Sequence, residues 1–138
     1  MSTDYEVAPS GRSQPSSAAF ISNAMVRLHR EHFGRGPASA KTLIVDDTVI
    51  CVLGDVYTTV EKTLIRVGRR DNVRETRLLH QLATEAEYIK IVEEALQREV
   101  ISFASAVTFD PDQAIEMLFL APREGDPPDR DQERPDAT

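Results

Sequence analysis

Phe33-Gly34-Arg35-Gly36-Pro37, set between an amphipathic segment and an alternating one, restricts the possible folds of this chain more than any other stretch. Glycine accepts the positive φ that ends a helix, and proline prevents the helix from resuming. The five residues therefore specify a backbone corner, which fixes how the first helix folds back on the strands after it.

Upstream of the corner, Phe20, Ile21, Ala24, Met25, Leu28 and His32 recur on one helical face, with Arg27, Arg30 and Glu31 pointing to water. Ser16 or Ser17 is the expected N-cap and Gly34 the terminator. Downstream the period changes to two. Lys41 to Val45 and Thr48 to Leu53 read as strands joined by a two-residue Asp46-Asp47 turn, a hairpin whose second strand is apolar on both faces and belongs in the sheet centre. Thr58-x-x-Glu61 has capping-box spacing, and a helix of about ten residues should come after it and stop at Gly68. Asn72 is a weaker start for the next helix, which runs to about Gln97. Leu79, Leu82, Ala86, Ile89, Val92 and Leu96 are its expected buried stripe, and a break is expected near Thr84. Val100 to Phe109, with Ile101, Phe103, Val107 and Phe109 on one side, reads as a third strand. Asp110-Pro111-Asp112 turns the chain into a fourth, Gln113 to Leu120.

The order α-β-β-α-α-β-β implies an α+β fold: a two-layer α/β sandwich with helices on one face of a four-stranded, mainly antiparallel sheet. With 41% hydrophobic residues but only 6% aromatic ones, aliphatic side chains must fill its core. The expected domain is 16–121. Residues 1–15 (Ser, Pro and Gly without periodicity) and 122–138 (acidic and Pro-rich) read as disordered arms.

The formal charge of −7 sits largely in those arms, and an acidic chain is a poor partner for nucleic acid or anionic lipid. The lone Cys51 excludes an internal disulfide and fits a reducing compartment. The first residues lack the apolar core of a signal peptide, and no apolar run approaches the ~20 residues that span a bilayer. A cytoplasmic location is expected.

No residue set carries an evident reaction. Gly34-Arg35-Gly36 comes after a helix C-terminus, whose dipole repels anions, and has neither the Lys-Ser/Thr of a P-loop nor a third dinucleotide glycine. His29, His32 and His80 would hold zinc only by converging, with no cysteine or patterned carboxylate to complete a site. Cys51 lies in the most apolar strand, where a thiol is inert. Ser102 and Ser105 lack a nucleophile elbow, and Asp46, Asp47 and Asp55 read as turn residues. The one site-like charge feature is Arg66, Arg69, Arg70, Arg74 and Arg77, which with Arg35 could meet a carboxylate, a phosphate or a partner's acidic surface. A solvated arginine face is the plainer account.

The helix Ile21 to Leu28, the corner Gly34-Arg35-Gly36-Pro37, the stretch Leu53 to Leu64, Val73-Arg74-Glu75-Thr76-Arg77 and Val100 to Ser105 stand here in one ordered series. That series resembles the MpsC-type domain, a small bacterial family named for a Na+-translocating membrane-potential-generating system. The resemblance covers about residues 17–121. It departs at Gln97-Arg98, where the family commonly has Gly-Arg, and at Tyr57 to Glu61, which lacks the family's proline. The resemblance implies a link to cation-coupled membrane physiology and supplies no catalytic residues. Combined with the residue reading, it gives a non-enzymatic accessory or regulatory domain. Such a domain needs no cofactor, binds a protein partner or a second copy of itself, and associates with a membrane complex peripherally. The alternative is a sensor of a small anionic metabolite built on the arginines.

Overall fold

The computed structural model describes residues 16–125. The expected arm 1–15 and residues 126–138 of the expected tail lie outside the described residues.

Three helices and four strands run in the expected order: α1 (Ser17–Phe33), β1 (Ser39–Val45), β2 (Thr48–Gly54), α2 (Thr59–Arg66), α3 (Arg70–Leu96), β3 (Val100–Thr108) and β4 (Gln113–Leu120). The strands form one antiparallel sheet in the order β1-β2-β4-β3, which places β2 centrally.

Local chemistry sets the boundaries. Ser16 caps α1 by accepting the Ala19 amide, and Gly34 ends it in the left-handed region at φ 78°. At Gly36 the backbone passes closely, since a Cβ there would lie 3.3 Å from the Arg30 guanidinium and 3.4 Å from Val26 Cγ1. Thr58 and Glu61 make the reciprocal capping box of α2.

The third helix departs from expectation. It starts at Arg70 with no side-chain cap and runs unbroken for 27 residues. Thr84 does not interrupt it, because its hydroxyl donates back to the His80 carbonyl 2.8 Å away and so stays within the helix. The buried stripe matches expectation in its second half, where Val92 is buried and Ile89 and Leu96 pack partly buried against the core, and departs from it in the first. Val73, Arg77, Tyr88 and Val92 face the core, while Leu79 and Leu82 are about 60% exposed and Ala86 is exposed. On α1, likewise, His29 is buried where His32 was expected, and Phe20 is 40% exposed.

The register divides the sheet into two faces. The inner face carries the rows Ala40-Leu53-Ala114-Val107, Thr42-Cys51-Glu116-Ser105 and Ile44-Val49-Leu118-Phe103. Over them lie α1, through Ile21 and Met25, and α3, through Tyr88 and Val92, in a single core. The outer face carries Lys41-Val52-Ile115-Ala106, Leu43-Ile50-Met117-Ala104 and Val45-Thr48-Phe119-Ser102. In those rows only Lys41 is charged and only Thr48 and Ser102 are polar; a fourth outer row, Ser39-Gly54-Gln113-Thr108, is glycine and polar side chains. A register shift between Val100 and Ser102 turns Ile101 out of the core side expected for it, leaving it 59% exposed.

At the end of α3, Gln97 adopts φ 53° and ψ 44°, a left-handed cap that glycine fills without a Cβ penalty. Gln97→Gly should raise the unfolding free energy by about 0.5–1 kcal/mol, read from urea denaturation. An equal or lower stability would mean that the Gln97 side-chain bond to the Glu94 carbonyl outweighs the backbone strain.

Candidate functional site

The polar groups of the interior gather around Arg77. Its exposure is only 7%, because it is one helical turn beyond Val73 on the face of α3 that meets the core. Nε donates to Glu61 Oε2 and Nη2 to Glu61 Oε1, each at 2.7 Å, a bidentate fork that ties α3 to the first turn of α2. Nη2 also donates to the Val56 carbonyl at 2.8 Å, holding the segment that leaves β2. The guanidinium Cζ lies 3.9 Å from the Phe33 ring centroid and 5.4 Å from that of Tyr57. Burial would push the Glu61 carboxyl up, but the Arg77 fork and the Thr58 cap outweigh it and hold that carboxyl below its ordinary value.

The same segment is pinned from its other side. Arg35 donates to Asp55 Oδ2 at 2.8 Å and to the Tyr57 carbonyl, so the corner after α1 is clamped to the exit of β2. Asp112 Oδ1 accepts the Val56 amide, and the Tyr57 hydroxyl donates to the Thr108 carbonyl.

Next to Arg77, between the helices and the inner sheet face, is a cavity of about 20 Å³ lined by His29, His80, Tyr88, Ser105 and Glu116, among others. That volume accommodates about one water-sized molecule. Glu116 is 3% exposed, and its Oε2 has no hydrogen-bond partner among the described residues. Burial pushes its carboxyl up to about 7, against the opposing pull of the Ser105 hydrogen bond and the Arg77 charge. Burial, then Arg77, pushes His29 down to about 4, so its ring is neutral at pH 7 and sits with Nδ1 3.3 Å from the Met25 carbonyl. Arg77, Gln81, Ser105 and Val107 are shared with an outer crevice of about 270 Å³, which Arg74, Leu78 and Ala106 complete. Chemically, the pair of spaces offers one carboxyl that exchanges its proton near neutrality and sits behind an arginine.

The family model described as "Na+-translocating membrane potential-generating system (MpsC)" matches residues 14–121. The chain belongs to the MpsC family. No curated protein and no solved structure matches it.

Within this MpsC domain the six arginines weighed as a possible binding site find different partners. Arg77 is consumed by Glu61, and Arg35 by Asp55 and Tyr57. Arg70 pairs with Asp110 at 2.8 Å and, like Arg74, lies over the Phe109 ring. Arg66 and Arg69 are exposed and have no ion-pair partner among the described residues. What remains as an open cationic edge is Arg66, Arg69 and Arg74, where α2 ends and α3 begins.

The histidines meet only in part. The His32 and His80 rings are 4.9 Å apart and His32 pairs with Glu87, but among the described residues no three His, Cys, Asp or Glu side chains are placed to hold a metal ion. Asp46 and Asp55 take positive φ at the two ends of β2, and Asp47 pairs with Arg98, which fits their reading as turn residues. Cys51 is fully buried on the inner face.

Glu61, Glu116 and Tyr88 were not singled out as site residues by the sequence, and His29 was weighed there only as a zinc ligand. A signal was present for Glu116: it is the lone acid inside the apolar strand Ala114 to Leu120.

Removing the Arg77 head group leaves Glu61 a buried, uncompensated charge. Arg77→Ala should therefore cost about 3–5 kcal/mol by urea denaturation, with part recovered when Glu61→Gln is added. A loss under about 1 kcal/mol would contradict a buried, fully formed fork. Glu116 gives a pH dependence of defined sign. Its native value of about 7 lies above the ordinary 4.5, so the folded chain binds the proton more tightly than the unfolded one. That contribution to stability is complete below pH 4.5 and is lost as pH rises through 7. Glu116→Gln should therefore gain on the natural chain in denaturation midpoint between about pH 5 and about pH 8. Parallel curves for the two would show that Glu116 is ionised in the native state throughout.

Proposed function

We propose that this MpsC domain is a non-catalytic accessory module that acts by binding protein, attached from outside to a membrane system that moves cations. The observation that carries the reading is the exposed face of α3. Leu78, Leu79 and Leu82 are 52%, 60% and 61% exposed, turned away from the core by the same helical phase that buries Arg77. Soluble helices normally turn such a stripe inward, and a contiguous outward one suits a partner.

The stripe continues one turn back into Arg74 and then to Arg69 and Arg66. A complementary surface is apolar with an acidic border, which is the role the sequence allowed for these arginines. The family's description supplies the membrane system, and no helix among the described residues is long and apolar enough to cross a bilayer. Association with membrane subunits made by other chains comes from the two together.

The test is co-purification of the tagged full chain with detergent-solubilised membranes of its native cell. A subunit of a cation-translocating complex should be retained in near-stoichiometric amount, released by salt and lost with Leu79→Ser/Leu82→Ser. Retention of that subunit by the double variant, or recovery of no membrane subunit by the natural chain, would refute the reading.

A further inference from the structure

The outer face of the sheet is a second apolar surface, on the side opposite the helices. An antiparallel sheet covered on one side normally shows water a polar face. Here the central strands carry Ile50, Val52, Ile115, Met117 and Phe119, each half-buried, with Leu43 on the edge strand 44% exposed. No described element covers them. The residues outside the described range are poorly suited to do so: 126–138 contain no large apolar side chain, and 1–15 contain only Met1, Tyr5 and Val7.

We infer that this face is where two copies of the chain pack, sheet on sheet, about a twofold axis. Three observations favour a second copy as the occupant. The first is charge. Lys41 is the only ionic group in the outer rows, so two such faces meet without burying opposed charges at the centre. An axis running along the strands, between β2 and β4, places the two Lys41 side chains at opposite edges. They are then more than ~14 Å apart, three strand spacings, which is beyond the Debye length of about 8 Å.

The second observation is relief. That axis sets the low row Ala104 and Ala106 of β3 opposite Leu43 and its neighbours on the other copy's β1, so high ground meets low ground at both edges. Face-to-face sheets interdigitate in this way at about 10 Å separation. The third is size. Four strands of about seven residues present roughly 450 Å² in projection. Upright side chains raise the accessible area toward the ~800 Å² per subunit of a standard stable interface. A sparsely charged face of this kind gains little from an anionic membrane surface, which needs several cations.

The α3 surface remains open in such a pair, so the dimer and the partner-binding reading fail independently. The experiment is sedimentation equilibrium on the full chain and on Ile50→Lys and Met117→Lys, with circular dichroism to confirm that each variant keeps its fold. Both substitutions point to the outer side, so the inner core is untouched. The natural chain should sediment as a dimer, and each lysine variant should dimerise at least about 100-fold more weakly. Leu79→Ser/Leu82→Ser should stay dimeric. A monomeric natural chain, a lysine variant that still dimerises as tightly, or dimerisation lost through Leu79 and Leu82 would each overturn the inference. So would flotation of the natural chain on phosphatidylglycerol–phosphatidylethanolamine vesicles that Met117→Lys abolishes. A dimer of the expected kind that retains no membrane subunit leaves the inference standing and refutes only the preceding reading.

Discussion

One buried ion pair organises the domain. Arg77 and Glu61 would each be costly alone in the interior, and together they satisfy each other through a two-bond fork. That fork joins α3 to α2, while the same guanidinium holds the Val56 carbonyl and lies against the rings of Phe33 and Tyr57. One side chain thereby relates the end of α1, the exit of β2 and the start of the two later helices. Arg35, on the far side of that exit, makes the matching clamp to Asp55 and Tyr57.

The helical phase set by this hub decides what lies outward of it. With Val73 and Arg77 inward, α3 must present Leu78, Leu79 and Leu82 to the outside. With α1 and α3 over the inner rows, the core side of β4 receives Ala114, Glu116, Leu118 and Leu120, and Ile115, Met117 and Phe119 stand on the other side. The domain thus hides a titratable carboxyl and shows two apolar surfaces. Burial raises the Glu116 carboxyl to about 7 in the inner cavity, which shares Arg77 and Ser105 with the crevice that Leu78 and Arg74 border.

Most of the fold was legible because local signals agreed with one another. The corner at Gly34 to Pro37, the Asp46-Asp47 turn and the Thr58-to-Glu61 cap each name a boundary by backbone chemistry, and each boundary lies where that chemistry puts it. The centrality of β2 could be read from residues that are apolar on both faces. What misled was an assumption that the largest apolar side chains seek the core. On α3 that rule chose Leu79 and Leu82 and passed over Arg77, whose burial depends on Glu61, Phe33 and Tyr57, all distant in sequence. A pairing of that kind has no local signature. The partners of the arginines were illegible for the same reason: neighbours along the chain found different partners in space.

If two copies pack through their sheets, the outer rows are covered in solution although no described element of the chain covers them. Methyl NMR of the full chain with a soluble paramagnetic agent reads this out, because relaxation of each methyl reports its exposure to solvent. The methyls of Ile50, Ile115 and Met117 should be shielded while those of Leu79 and Leu82 relax strongly. Strong relaxation at Ile50, Ile115 and Met117, equal to that of the α3 leucines, would show the outer rows to be bare and the pairing of sheets to be wrong.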